Sequence, residues 1–396
     1  MSFEVPESWE WCTIDDIAES NIGLTYKPSD ISNEGVPVYR SNNIQNRSIC
    51  LDVVVRVETQ ILEKQYLHEG DLLICARNGS RNLVGKCALI SNLSEPTSFG
   101  AFMAVCRSSY NKWIFLLLNS DYFDAYLDDS NSTAINQVTQ KMLLAFQMPF
   151  PPANEQDRIY NEVCKWFSVI DSLEIEERDL KLSIEKAKSK ILDLAIHGKL
   201  VPQDPNDEPA IEILKRINPK FTPCDNAHYE NVPEGWTEIK VGELAQYTNG
   251  KAFQPSDWEQ SGLPIIRIQN LNDENCKYNY TSICHEEKYR ITNGDLLFAW
   301  AASLGVYIWK GDDAWLNQHI FKVEPLPFVD KQFLYYLFQY LISEFYIRSH
   351  GSGMVHITKK EFETTIALLP PLSEQSRIVK SIVSYYTILD RISAEL

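Results

Sequence analysis

The feature that most constrains this chain is that it says much of what it says twice. Pro6-Glu7-Ser8-Trp9 returns as Pro233-Glu234-Gly235-Trp236, a shift of 227 from position 6 to position 233. Gly35-Val36-Pro37-Val38-Tyr39-Arg40-Ser41-Asn42-Asn43 returns at the same shift as Gly262-Leu263-Pro264-Ile265-Ile266-Arg267-Ile268-Gln269-Asn270. Gly70-Asp71-Leu72-Leu73 returns as Gly294-Asp295-Leu296-Leu297. Pro151-Pro152, followed by Glu155-Gln156 and Arg158-Ile159, returns as Pro370-Pro371 with Glu374-Gln375 and Arg377-Ile378. The order is kept while the shift shrinks slightly, as loops of unequal length would produce. Self-similarity of this kind implies stacked or linked homologous units, and 396 residues exceed what one ordinary core holds. Two units follow, Met1 to about Leu200 and about Asn231 to the end.

Each unit opens with a globular part. Val36 to Tyr39, Asp71 to Cys75 and Leu263 to Arg267 read as short strands bounded by Gly, Asn, Asp and Ser. Apolar helical patterns cover Lys112 to Leu127 and Lys331 to Ile347, which makes the globular parts mixed α/β. Each unit closes with a helix. After Pro152, Asn154 suits an N-cap and Asp157 a capping box. From Ile159 an apolar seam alternates by four and three through Val163, Trp166, Ile170 and Leu173, and continues through Leu180, Ile184, Ala187, Ile191 and Leu194. Glu177 alone interrupts it. That is a coiled-coil heptad, ended by Gly198 and Pro202. Ile378, Ile382, Tyr385, Leu389 and Ile392 repeat the seam in the second unit. The expected division is residues 1–150, a first globular domain; 151–200, a long helix; 201–230, a linker with few contacts and one short helix near Ala210 to Ile217; 231–371, a second domain; and 372–396, a short distal helix.

The nine cysteines include no C-x-x-C pair, which fits a reducing cytoplasm and no zinc site. The start has no basic and apolar leader. The most apolar run, Phe333 to Ile347, is short for a membrane span and holds Gln339 and Glu344. A cytoplasmic protein is expected. A formal charge of −17 weighs against a protein that coats nucleic acid through bulk electrostatics. No phosphate loop, dinucleotide-binding glycine motif, H-E-x-x-H or G-x-S-x-G is present, and no carboxylate pair has a spacing that marks an acid/base couple. The residues suggest no catalytic centre and no metal site.

The arrangement resembles the specificity subunit of type I restriction-modification systems. His197-Gly198-Lys199-Leu200-Val201-Pro202-Gln203-Asp204-Pro205 is similar to that family's central region, and the Pro-Pro-x-x-Glu-Gln-x-Arg-Ile segments to the starts of its two long helices. The resemblance implies an α+β fold of two target-recognition domains joined by an antiparallel helix pair. Each domain would read half of a split double-stranded DNA site, and the helices would set the gap and dock methyltransferase subunits. Methylation, with its S-adenosylmethionine, and cleavage would belong to separate modification and restriction subunits, and this chain would need no cofactor. A protein-interaction scaffold is the competing reading, and a self-contained methyltransferase is disfavoured by the missing cofactor motif.

Polar segments that interrupt the strands are the candidates for DNA contact. Arg77, Asn78, Ser80 and Arg81, with Lys86 beyond, follow the repeated Gly-Asp-Leu-Leu; arginine suits guanine and asparagine suits adenine. The matching second segment offers Trp300 and Ser303 and is far less basic, as heads with different targets would require. Arg40, Asn42 and Asn43 match Arg267, Gln269 and Asn270, and these side chains suit base reading and turn capping equally. Asn136 and Gln137 match a segment containing Ser352 and His356, suited to phosphate contact. Lys141 matches the basic run Thr358, Lys359 and Lys360. Gln318 and His319 read as structural. If the helices pair antiparallel, the distal one reaches back to about Leu173. Ile159, Val163, Trp166 and Ile170 are then left for a partner subunit or a second copy.

Overall fold

The computed structural model describes residues 3–130, 136–224, 229, 231–273, 275–301, 303–348 and 357–396. It divides into two units, Met1–Glu176 and Glu177–Leu396, and the division falls inside the helix Ala153–Ile196.

In the first unit Leu72–Cys75 is the organising strand. It pairs antiparallel with Met103–Arg107 and with Cys87–Leu89, and Met103–Arg107 pairs in turn with Glu19–Ile22. Its residues alternate between two cores. Leu72 and Ile74 pack with Trp113, Phe123 and Phe146 of the helical layer, while Leu73 and Cys75 pack with Tyr39, Phe99 and Val105 on the other face. A strand buried on both faces reads as an unbroken apolar run. The second face is closed by a three-stranded sheet, Val55–Val57, Ile31–Tyr39 and Ser98–Phe99.

The second unit repeats this order. Leu296–Ala299 lies between Ile320–Pro325 and Gly305–Ile308, with Ala245–Asn249 beyond. Leu296 and Phe298 face the helical core, and Leu297 and Ala299 face the other. The preceding Gly-Asp has one purpose in both copies. Gly70 (φ +83°) and Gly294 (φ +89°) take the left-handed turn that glycine adopts without steric cost. Asp71 Oδ2 accepts from the His68 amide at 2.9 Å and Asp295 Oδ2 from the Thr292 amide at 2.8 Å. Each carboxylate then pairs with a cation on the neighbouring strand, Arg107 at 3.1 Å or Lys322 at 3.2 Å.

The Pro-Pro-x-x-Glu-Gln motif is half of a lock whose other half is the Pro-Glu-x-Trp opening. Trp9 Nε1 donates to Glu155 Oε2 at 3.3 Å, and Trp236 Nε1 to Glu374 Oε2 at 3.0 Å. Gln156 Nε2 donates to the Pro151 carbonyl and Gln375 Nε2 to the Pro370 carbonyl. Both therefore fasten the closing helix to its own domain.

Several expectations are corrected. The helix expected over Lys112 to Leu127 is two helices, Asn111–Leu118 and Asp121–Ser130. Asn119 Nδ2 and Ser120 Oγ turn back onto the carbonyls of Phe115 and Leu117, a local competition that ends the first helix. The long helix begins at Ala153, so Asn154 lies within its first turn and is no cap. The expected loose linker is packed. Its helix, Ala210–Ile217, buries Ala210 and Leu214 in the second core, and Asp207 takes Arg377 at 2.6 Å and Ser373 at 2.5 Å. Gln203 reaches Glu374 at 3.1 Å.

The distal helix, Leu372–Ala394, runs antiparallel to the end of the long helix. Glu374 sits by Gln203 beyond that end, while Tyr386 Oη donates to the Lys188 carbonyl and Asp390 pairs with Lys188 at 2.9 Å. The cover reaches Ile184, which is buried, and Leu180 is already exposed. The expected reach to Leu173 is too long by about two to three turns.

Candidate nucleic-acid interface

Three sequence-distant segments of the first unit converge. Asn78 Nδ2 donates to Ser41 Oγ at 3.1 Å, Arg77 bridges to Gln137 in antiparallel fashion, and Asn136 Nδ2 donates to the Gly79 carbonyl at 3.0 Å. They meet beside a cleft of about 730 Å³ whose lining includes Tyr26, Arg40, Ser41, Asn42 and Phe102. Among the described residues that line it Arg40 is charged and none is a carboxylate. The Arg77 guanidinium lies 5.5 Å from the centre of the Phe102 ring, which is 61% exposed. Arg77 and Asn42 are exposed and Arg40, Asn78, Asn136 and Gln137 half-buried, so polar groups remain presentable.

Other candidates are committed elsewhere. Asn43 and Asn270 are buried turn caps: their Oδ1 atoms accept from the amides of Arg40 at 2.9 Å and Arg267 at 3.1 Å. Of the two uses left open for these asparagines, capping is the one the fold makes. Lys86 Nζ donates to the Ile44 carbonyl at 2.8 Å and lies in a different cleft, with Arg47. Arg81 pairs with Asp128 at 2.5 Å. Ser80 is exposed, its amide held by Asn78 Oδ1. Thr358 is the N-cap of the helix Lys359–Thr364 and its hydroxyl is engaged with Glu361, as Thr139 caps Gln140–Leu144. Lys359 pairs with Glu363 at 3.5 Å, whereas Lys141 and Lys360 are exposed.

In the second unit Arg267 lies 5.8 Å from the Trp258 ring centre, and Gln269 is exposed. Trp300 packs against His319 at 5.4 Å, and Ser303 is half-buried on the turn before Gly305–Ile308. Ser352 and His356 lie outside the described residues. Gln318 and His319, read from sequence as structural, stand where Ala101 and Phe102 stand in the first unit. Gly100 bridges to Leu24 and Asn317 bridges to Lys251 in the same parallel fashion. Sequence comparison missed this correspondence because the flanking residues differ; only the paired strands fix the register.

Of the four seam residues left for a partner, Ile159 is half-buried against its own domain's core, and Val163 is half-buried too. Trp166 and Ile170 are 58% and 45% exposed, and Val169, Leu173 and Leu180 are exposed as well. Nearby, Asn46 and Arg47 take positive φ at the tip of the hairpin Ile44–Ile49. Arg47 is thereby placed 4.3 Å from the Phe167 ring centre and in an ion pair with Asp171. Among the described residues no group of His, Cys, Asp and Glu has metal-ligand geometry, and no helix is long and apolar enough to cross a membrane.

Comparison with known proteins gives the frame for these two copies. The type I restriction modification DNA specificity domain matches residues 6–186 and again 233–396. The chain is 26% identical to the EcoAI specificity subunit of Escherichia coli, over 95% of this chain and 77% of that protein. It is 23% identical to the EcoKI specificity subunit of Escherichia coli K12, over 99% and 85%. Among solved structures, a chain from work on assembly and conformational transition of the type I R-M system superposes with a TM-score of 0.66. It is 19% identical, covering 100% of this chain and 95% of that one. The HsdS subunit from Thermoanaerobacter tengcongensis superposes at 0.53 with 18% identity, covering 99% and 93%. Two domain matches, one on each side of the packed segment, take in most of the sequence, and the chain belongs to the type I restriction-modification DNA specificity family.

Proposed function

We propose that this chain is the DNA sequence-specificity subunit of a type I restriction-modification complex, with each domain reading one half of a split, asymmetric site. The observation that carries the reading is the pairing of a shared framework with divergent surface chemistry. Both copies keep the same four-stranded sheet, the same buried asparagine cap and the same arginine, Arg40 or Arg267, and differ at the residues that surround it. A protein-interaction scaffold gains nothing from such divergence at matched positions. The chain itself performs no catalysis and holds no cofactor; S-adenosylmethionine belongs to the modification subunits, and cleavage to restriction subunits of the full complex, acting in the cytoplasm. The exposed stripe around Trp166 and Ile170 is the surface those modification subunits cover. Burying one such side chain is worth about 1.5–3 kcal/mol, so Trp166→Glu is expected to weaken assembly while leaving the free chain folded.

The test is methylation of a DNA library randomised around both half-sites by the chain assembled with its modification subunits. A single bipartite sequence is expected, and methylation without sequence preference would end the reading. Few spare cations mean weak phosphate binding by the chain alone, so tight sequence-specific binding at physiological salt is expected only in the complex.

A further inference from the structure

A matched tight turn, residues 100–103 in the first unit and 317–320 in the second, is pinned by main-chain hydrogen bonds. In the first, the amides of Ala76 and Arg77 both donate to the Phe102 carbonyl, at 2.9 and 3.0 Å, and Gly100 donates to Tyr39. In the second, Trp300 donates to the His319 carbonyl at 3.2 Å and Asn317 to Ile266. The turn presses on a glycine in both. A Cβ on Gly23 would stand 2.3 Å from the Gly100 carbonyl oxygen, and one on Gly250 would stand 2.2 Å from that of Asn317. The backbone is therefore fixed alike while the central side chains differ completely, Ala101-Phe102 against Gln318-His319.

We infer that these two side-chain pairs are base-reading elements, with Phe102 contacting a thymine methyl in one half-site and Gln318 pairing with an adenine in the other. The inference rests on the specificity-subunit reading and deepens it. Sequence-independent contacts serve the common phosphate backbone and so recur in both heads, whereas base contacts must change with the target. Arg40 and Arg267 recur, and the Nε atom of each is enclosed without a hydrogen-bond partner among the described residues. A phosphate contact by these side chains would fall to the terminal guanidinium nitrogens. Ala101 and Phe102 line the same cleft as Arg40, and neither recurs in the second unit. Phe102 is a large apolar ring left exposed at the rim of the acid-free cleft, which suits a methyl group in the major groove. The half-buried Gln318 carboxamide has its Oε1 enclosed without a partner among the described residues, and its Nε2 lies 3.3 Å from His319 Nε2, so a turn of the side chain toward solvent brings a hydrogen-bonding group to DNA that nothing in the fold holds back. A carboxamide matches the donor–acceptor pair on the adenine edge.

The experiment uses the full chain assembled with its modification subunits and the library described above. Phe102→Ala is expected to relax preference at one thymine of the first half-site by about 4-fold. Gln318→Ala is expected to relax one adenine of the second half-site by about 5- to 150-fold. The double change Ala101→Gln with Phe102→His is expected to shift the preferred base at that same position of the first half-site and nowhere else. Thermal melting of each variant checks that the domain still folds. If the unaltered complex selects no sequence, the specificity reading fails and this inference falls with it. If it selects one and the variants keep every preference, or lose affinity uniformly for all sequences, the specificity reading stands and this inference is overturned.

Discussion

The two units fasten their closing helices with the same lock and shelter it differently. In the first, Glu155 is half-exposed and accepts from Trp9, and the hairpin carrying Arg47 adds a separate grip on Phe167 and Asp171. In the second, Glu374 is buried beneath the segment after Gly198 and accepts from both Trp236 and Gln203, while Asp207 ties Arg377 beside it. Burial pushes the Glu374 carboxyl up, and the Arg377 hydrogen bond holds Asp207 below the usual carboxylate range. The same motif letter therefore carries different energetic weight in the two copies. What surrounds it decides that weight.

The largest effect should be common to both units and would break the comparison if it were not. Gly23→Ala and Gly250→Ala each drive a Cβ into a backbone carbonyl. Each is expected to destabilise its own unit by more than about 3 kcal/mol, read by chemical denaturation with domain-specific probes. A tolerated substitution in either unit would show that the two turns are not equivalently packed. The locks come next and should separate the units. Glu374→Ala leaves the buried Trp236 indole unpaired, while Gln203 keeps the Gly198 carbonyl at 2.8 Å, and is expected to cost about 1–3 kcal/mol, against less than about 1 kcal/mol for Glu155→Ala. Equal losses would mean that the packed segment shelters nothing.

Recognition should separate them in a different way. Arg77→Ala is expected to relax one half-site by about 1–3 kcal/mol and leave the other unchanged, measured on the randomised library. Arg81→Ala should do less, because Asp128 already holds that guanidinium. The smallest effect is pH-dependent. Because the folded pKa of Asp207 is lowered, its contribution is present above the unfolded value of about 3.9 and lost as pH falls through the folded value. Asp207→Asn should therefore destabilise the second unit by about 1 kcal/mol at neutral pH. The gap to the unaltered chain should close below about pH 4, and a gap that persists in acid would assign the effect to lost packing.

The repeat, the closing helices and the organising strands are legible in the sequence because each rests on local periodicity or on a motif with a local backbone role. Gly70 and Gly294 announce their turns by needing positive φ. The Pro-Pro-x-x-Glu-Gln motif marks a helix start on sight, but its indole partners lie more than a hundred residues away and only the fold supplies them. The same distance hides the role of residues 317–320, whose register is set by strand pairing rather than by any shared letter. Asn43 and Asn270 have side chains equally fit for a base edge or a peptide group, and burial alone decides. The packed stretch after Gly198 reads as a linker because Pro, Asp and Asn dominate it. Its contacts are polar ties to a helix that begins more than 160 residues later, together with the burial of Ala210 and Leu214 in the second core.

The turns at 100–103 and 317–320 are anchored by peptide groups, which every amino acid supplies. Met103 and Ile320 are buried in the core, but stability at the two central positions of each turn, 101–102 and 318–319, depends less on which side chain is present, and most substitutions there leave a chain above the threshold needed to fold. A lineage carrying such a chain can try new residues at the centre of this turn without first acquiring compensating changes in the core. Mutational robustness and the capacity to change target thus reside in the same two central residues of the turn, once in each unit.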